Sequence, residues 1–348
     1  MSATGASEPG TQPQKEVCLL SLDGGGVRGI STLMILKILM ESIDPKNPPK
    51  PCDCFDMIGG TSTGGLIALM LGRLRMSVNE CIDAYEKMAH DVFTKPRNPV
   101  ISKGRLRGRF DHEALERHVK QLLESRAISA DALLDDRLNP NSCKTFVCAT
   151  FAGSDENIIL SSYNNRQRNH QRDQDLLKTT KIWEAARATS AVGRFFGPIT
   201  IGDETFFDKA SGESNPIETM LVEAQDMYRR DKSLPDQHIK CIVSIGTGLY
   251  FKSDLGHIDR SLKKIAIDAE LYAQNFRHKN SKLFDSRRAF RFNVHSGLEN
   301  IDLEEVAKWG EIKAATRLYM QEEQVHEQIK DFVKNMQTRE CKLLIHFI

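Results

Sequence analysis

Apolar positions along this chain fall into two periods. From Val17 to Leu22 the run Val-Cys-Leu-Leu-Ser-Leu is nearly continuous, the pattern of a strand covered on both faces. A glycine-rich turn follows, Asp23-Gly24-Gly25-Gly26-Val27-Arg28-Gly29. The stretch from Ile30 to Glu41 then spaces Leu33, Leu36 and Met40 along one stripe, with Lys37 at its edge, and predicts a helix. Pro45, Pro48, Pro49 and Pro51 mark a returning loop. Phe55, Met57 and Ile58 start a second short strand, which runs into glycines around Ser62. Beyond them Leu66, Ile67, Leu69 and Met70 recur at spacings that one helical face can bury. Two successive units of strand, glycine turn and helix predict an α/β fold in three layers, a mostly parallel central sheet with helices on both faces.

The rest of the chain extends the same alternation. Helices are predicted over Val78 to Phe93, over His112 to Leu123 with Asp111 as its N-cap, and over the alanine-rich Ile182 to Ala191. Lys144 to Phe151, Ile158 to Tyr163 and His238 to Ile245 read as strands, and Asn164 to Asp175 as a polar loop too charged for the core. Ile258 to Phe276 and Ile312 to Met336 read as long helices on either side of a strand-like Phe290 to Val294. No internal repeat is visible. Residues 1–15, rich in Ser, Gly, Thr, Pro and Gln, read as a disordered tail, and 16–348 as one domain whose C-terminal part, about 256–340, is helical.

Composition narrows the function classes. A net charge of +1 gives no overall field to attract nucleic acid, and no nucleic-acid partner is expected. The best apolar run, Ile30 to Met40, is interrupted by Lys37 and is too short for the roughly 18 residues of a membrane span. A cytoplasmic protein is expected, meeting a membrane only peripherally. Lys95, Arg97, Lys103, Arg105, Arg107 and Arg109 lie between Lys95 and Phe110 with no acidic residue among them. This stretch reads first as a solvated basic loop and second as a surface for anionic headgroups. The 8 cysteines show no Cys-x-x-Cys spacing, and Cys18, Cys148 and Cys241 lie in apolar runs, where a thiol behaves as a small hydrophobe. No metal or cofactor is expected, and the oligomeric state stays open.

Two glycine turns are the candidates for chemistry. Gly60-x-Ser62-x-Gly64 is the nucleophile-elbow pattern, in which small flanking residues let the chain lift a serine above the sheet. Gly24-x-Gly26-x-x-Gly29 formally matches a dinucleotide fingerprint, which needs an acidic residue about 20 positions on, at the end of the next strand. That window holds only Glu41 and Asp44, at a helix end and in a loop. An oxyanion hole is the better account: consecutive glycines expose backbone N–H groups at the mouth of a helix.

Taken in order, Asp23 to Gly29, Gly60-Thr61-Ser62-Thr63-Gly64, Ala186-Arg187-Ala188-Thr189-Ser190-Ala191, the Asp after Phe206-Phe207, and Ser244-Ile245-Gly246-Thr247-Gly248 resemble a patatin-like phospholipase domain, in the style of its fungal-type members. The resemblance spans Val17 to about Met320. It implies a patatin-like fold and a lipid acyl hydrolase of the phospholipase A type, working through an acyl-enzyme on phospholipids or related acyl lipids. Its dyad would be Ser62 as nucleophile and Asp208 as base, its oxyanion hole Gly25 and Gly26, with Gly24 and Arg28 supporting the loop or the substrate. The sequence departs from the family where Lys209 and Ala210 replace a glycine-led pair, and where Ala191-Val192-Gly193 replaces Ala-Ala-Pro. A lysine there would lower the pKa of Asp208 and weaken it as a base. Two other readings follow: a patatin-fold binding or signalling module with little or no catalysis, and an α/β-hydrolase with a Ser-Asp-His triad drawing on His238, His257 or His295.

Overall fold

The strand at Val17 divides its residues between two cores: Cys18, Leu20 and Leu22 point to one face of a sheet, Val17 and Leu19 to the other. The computed structural model describes the chain from residue 16 to 337, apart from residues 95–100, 103–104, 107, 140–141, 155, 166, 169, 193–194, 208–213, 229–237, 250–259 and 300.

In chain order, β1 (Val17–Leu22) passes through the first glycine turn into α1 (Gly29–Ile43). After one turn of helix, α2 (Pro51–Cys54), β2 (Met57–Thr61) passes through Ser62 into α3 (Thr63–Ala68), which continues as a π-helical turn over Leu69–Arg73. Next come α4 (Val78–Phe93), the short strands β3 (Ile101–Ser102) and β4 (Arg105–Leu106), and α5 (His112–Ser125). β5 (Lys144–Thr150), β6 (Asn157–Ser161), α6 (Gln171–Thr179) and α7 (Ile182–Thr189) lead to a hairpin of β7 (Ile199–Ile201) and β8 (Glu204–Phe206). The chain then runs through α8 (Ile217–Tyr228), β9 (Ile239–Ile245), α9 (Arg260–Lys279), α10 (Ser281–Asp285), β10 (Ala289–Phe292), α11 (Trp309–Met320) and α12 (Glu323–Gln337).

The central sheet has the order β10-β9-β1-β2-β5-β6, parallel throughout except for the antiparallel edge pair β5 and β6. One face is covered by α1, α3, α4, α5, α7, α11 and α12, the other by α8, α9 and α10. This is the three-layer α/β arrangement with helices on both faces. Leu22 pairs with Gly60, so β1 and β2 release their two glycine turns side by side at the carboxyl edge of the sheet. Open α/β sheets place ligands at that edge.

Local chemistry fixes the helix starts. Ser77 and Glu80 form a reciprocal capping box at α4, and the backbone N–H of Ser77 holds the Glu80 carboxyl down to about 2. Asp111 caps α5 by accepting from the N–H groups of Glu113 and Ala114.

The structure departs from the sequence reading in three places. Ile312 to Met336 is two helices, because the apolar stripe skips from Met320 to Val325 across an all-polar Gln321 to Gln324, a step of five residues that no single helix face can carry. Asn164 to Asp175 is partly core: Asn165 is buried and donates to Glu223 and Asp226, Arg168 pairs with buried Glu223 at 3.0 Å, and α6 starts at Gln171. Paired charges can be buried where isolated ones cannot. A β7–β8 hairpin, absent from the sequence reading, turns on the two-residue signal Gly202 (φ +58°) and Asp203.

Candidate active site

Ser62 sits between the last residue of β2 and the first of α3, with φ 51° and ψ −122°. A non-glycine residue rarely occupies this region, at a cost of order 1–3 kcal/mol, so the surroundings must impose it. The flanking glycines allow that. A Cβ on Gly60 would collide with the Gly64 carbonyl, and one on Gly64 with the carbonyl of Leu22. From 127 residues away, the buried Thr189 hydroxyl of α7 accepts the Ser62 N–H at 2.8 Å.

The first glycine turn lies directly against this elbow. A Cβ built on Gly24 would come 3.4 Å from the Cβ of Ser62. Gly24 is tied in place, its N–H donating to the Ser214 carbonyl and its own carbonyl accepting from the Thr247 hydroxyl, both at 3.0 Å. Gly26 has φ +53°, and its carbonyl is held by the hydroxyls of Thr63 and Tyr85. Side chains on Gly25 or Gly26 would strike Thr247 and the Leu303 carbonyl respectively. Among the described residues, neither the Gly25 nor the Gly26 N–H meets an acceptor, and both residues line the cleft that Ser62 enters. Preorganised donors of this kind can stabilise developing negative charge.

Arg28 is fully buried, and its side chain fastens loops together. Nε donates to Ile301, Nη1 to Gly248 and Leu249, and Nη2 to Leu298 and Ile301, five bonds to backbone carbonyls at 2.6–3.3 Å. Its donors are committed there, away from any phosphate. Beneath the turn, Asp23 is buried against Arg291 at 2.7 Å, and Arg291 also pairs with Glu270 at 3.0 Å. One guanidinium serves two carboxylates. Burial, helped by Glu270 and opposed by Arg291, therefore pushes the Asp23 carboxyl up to about 7.

The cleft at Ser62 spans about 570 Å³, the open space at its mouth included, and is chiefly apolar, between the Tyr85, Met88, Ala89 and Val92 face of α4 and an aromatic group around Phe195 and Phe196. Phe93 meets Phe110 at 4.9 Å, Phe110 meets Phe195 at 5.1 Å, and the buried Arg187 guanidinium lies 5.8 Å from the Phe196 ring while donating to the Gly197 carbonyl. The buried Ser190 hydroxyl, also in the lining, has no partner among the described residues.

Asp208, Lys209 and Ala210 lie outside the described residues, as does His257. Among the described residues no histidine lines the cleft. His238 immediately precedes β9, at the opposite edge of the sheet from Ser62, and His295 is an exposed partner of Glu322 at 2.9 Å. Most of the basic stretch from Lys95 also lies outside the described residues; Arg109 within it pairs with Glu304 at 2.6 Å. Sequence reasoning gave no role to Thr189, Tyr85, Arg291 or Leu303. Thr189 lies in the Ala186–Ala191 stretch that carries the family resemblance, but the other three reach the site only through tertiary packing. Among the described residues no three His, Cys, Asp or Glu side chains are grouped to hold a metal ion, and no helix is long and apolar enough to cross a membrane.

A mostly parallel sheet covered on both faces, with a strained serine elbow packed against a glycine-rich turn, defines the architectural class of this protein. Within that class, the chain belongs to the patatin-like phospholipase family, whose model, Patatin-like phospholipase, matches residues 20–221. It is 28% identical over 235 residues to calcium-independent phospholipase A2-gamma of Rattus norvegicus, covering 67% of this chain and 28% of that protein. To patatin-like phospholipase 1 of Plasmodium falciparum it is 29% identical over 353 residues, covering 92% of this chain and 50% of that protein. The chain thus spans from about a quarter to half of the length of these relatives. Among solved structures, VipD from Legionella pneumophila aligns over 93% of this chain and 67% of its own at 12% identity, with a TM-score of 0.36.

Proposed function

We propose that this protein is a lipid acyl hydrolase of the phospholipase A type, cleaving fatty acyl esters of phospholipids or related lipids with a Ser62–Asp208 dyad. The observation that carries the reading is the strained Ser62 elbow, packed against a glycine turn with two N–H groups that meet no acceptor among the described residues, and opening into an apolar cleft. Relatives named as phospholipases make an acyl lipid the natural substrate class.

In this mechanism the Ser62 hydroxyl oxygen attacks the ester carbonyl carbon while its proton passes to the Asp208 carboxylate. The carbonyl oxygen becomes an oxyanion, received by the N–H groups of Gly25 and Gly26, each worth about 2.7–4 kcal/mol of barrier. Collapse of the tetrahedral adduct breaks the ester C–O bond. The departing lysolipid oxygen takes the proton from Asp208 and leaves an acyl-Ser62 ester. Water then gives a proton to Asp208 and attacks this ester, and the second collapse returns that proton to Ser62 and frees the fatty acid. Every proton is accounted for without a metal ion. The cleft supplies the acyl site by excluding water from methylenes, each worth about 0.8 kcal/mol when buried.

The test is acyl-ester hydrolysis on a phospholipid vesicle and on a soluble short-chain ester, comparing the wild type with Ser62→Ala and Asp208→Asn. Turnover by the wild type and background rates for both folded variants are expected. A wild type as inert as the variants on both substrates refutes the reading.

A further inference from the structure

A second chamber lies behind the Ser62 cleft. It spans about 730 Å³, the open space at its mouth included, between α3 with its π turn, α4, α5 and α7, and its depth is apolar, with Leu69, Met70, Val119 and Ile182 in its walls. Lys87, Gln121 and Ser125 form an exposed polar rim. Packed interiors leave few voids larger than a water molecule, so an apolar recess of this kind needs a reason to stay unfilled. Two features hold this one open: Ala84 and Ala186 face it without side chains long enough to fill it, and the π turn carries Leu69 and Met70 off the regular helical register.

The chamber and the cleft share two wall residues, Leu66 and Met88. Leu66 stands four residues beyond Ser62 along α3, about 6 Å of helix rise. Met88 is an unbranched side chain with three rotatable bonds, able to rearrange at small cost. The α4 helix turns Tyr85, Ala89 and Val92 to the cleft, Ala84 and Lys87 to the chamber, and Met88 to both.

We infer that the acyl chain bound at Ser62 passes between Leu66 and Met88 into this second chamber, so that these two residues gate access for long acyl chains. The inference rests on the hydrolase reading above and adds to it the class of substrate: lipids whose acyl chain outruns the first cleft.

The experiment is the ratio of kcat/KM for a palmitoyl ester to that for a butyryl ester, in the wild type, Ala84→Phe and Met88→Ala. Ala84→Phe fills the chamber from a position that does not line the Ser62 cleft. Each methylene kept from burial is worth about fourfold, so excluding two or more lowers the ratio by roughly tenfold or more. Met88→Ala, which widens the gate, raises the ratio. Leu122→Trp, from the half-buried rim, is the second block if Ala84→Phe does not fold. A folded blocking variant with a ratio within about twofold of wild type, where tenfold is expected, overturns the inference while the hydrolase reading stands. Should the wild type cleave neither ester, the hydrolase reading fails, and palmitate titrated calorimetrically into the wild type and Ala84→Phe decides the chamber separately. Weaker binding by the variant upholds it, and equal affinity or no binding by either overturns it.

Discussion

The hydrogen bond from the Ser62 N–H to Thr189 should be the contact that holds the elbow in its strained form. Thr189→Val removes the acceptor while keeping shape and volume. Ser62 occupies φ 51° and ψ −122°, worth of order 1–3 kcal/mol of strain, and Thr189 meets it at 2.8 Å. A net hydrogen bond contributes about 0.5–1.5 kcal/mol, and an N–H left without a partner raises the loss toward about 3 kcal/mol. The Ser62 N–H is only partly buried, and the new methyl returns up to about 0.8 kcal/mol. A net destabilisation of about 1 kcal/mol is therefore expected in urea unfolding. The larger effect should fall on kcat, because the strained backbone aims the hydroxyl and a displacement near 1 Å can cost about a hundredfold. KM should change little, since the cleft walls are untouched. Thr189→Ser keeps the acceptor and should retain most of the rate. The reasoning is refuted if Thr189→Val matches the wild type in both unfolding midpoint and kcat, or if Thr189→Ser is impaired equally.

Two further predictions concern ionisable groups. Because burial raises the Asp23 carboxyl from 3.8 to about 7, the native protein keeps a proton there that the unfolded chain has released; stability should fall as pH rises through this window and level off above it. Asp23→Asn lacks that titration, so denaturant midpoints of the two proteins across the window should diverge in slope, by about 4 kcal/mol at most; parallel profiles would show that Arg291 fully offsets the burial. If the ammonium of Lys209 depresses Asp208, Lys209→Gly should raise kcat severalfold and move the acidic limb of the pH–rate profile upward, whereas an unchanged limb would mean that this departure from the family pattern is neutral.

The parts of this molecule legible in its sequence are those whose causes are local. The serine elbow and the glycine turn announce themselves because only glycine fits the close approaches at positions 25, 26, 60 and 64. β1 reads as a strand covered on both faces because its apolar run is interrupted only by Ser21. The N-cap at Asp111 and the extent of α4 follow from residues within one helical turn. Illegible parts depend on partners far along the chain. Nothing near Asn165 says that Glu223 will bury it, nothing near Ser62 says that Thr189 will fix it, and the second chamber arises from four helices that meet only in the folded protein. Arg28 shows the boundary between the two cases. Its place in the glycine turn is compatible with support of either the loop or the substrate, and only the positions of Gly248, Leu249, Leu298 and Ile301 show where its donors go.

Those acceptors also bear on how the molecule is made. The span by which the family is recognised ends at residue 221, inside α8. Yet β1 lies between β2 and β9, and the guanidinium of Arg28 rests on carbonyls more than 200 residues downstream. A ribosome that had delivered only the recognisable span would have made a sheet with its central strand unpaired along one edge, and a turn whose buried cation had no seat. Contacts of such sequence separation form late and slowly. The cleft around Ser62 is therefore built only once residues beyond 221 have been made, and a chain truncated there would carry the family signature without a seat for Arg28.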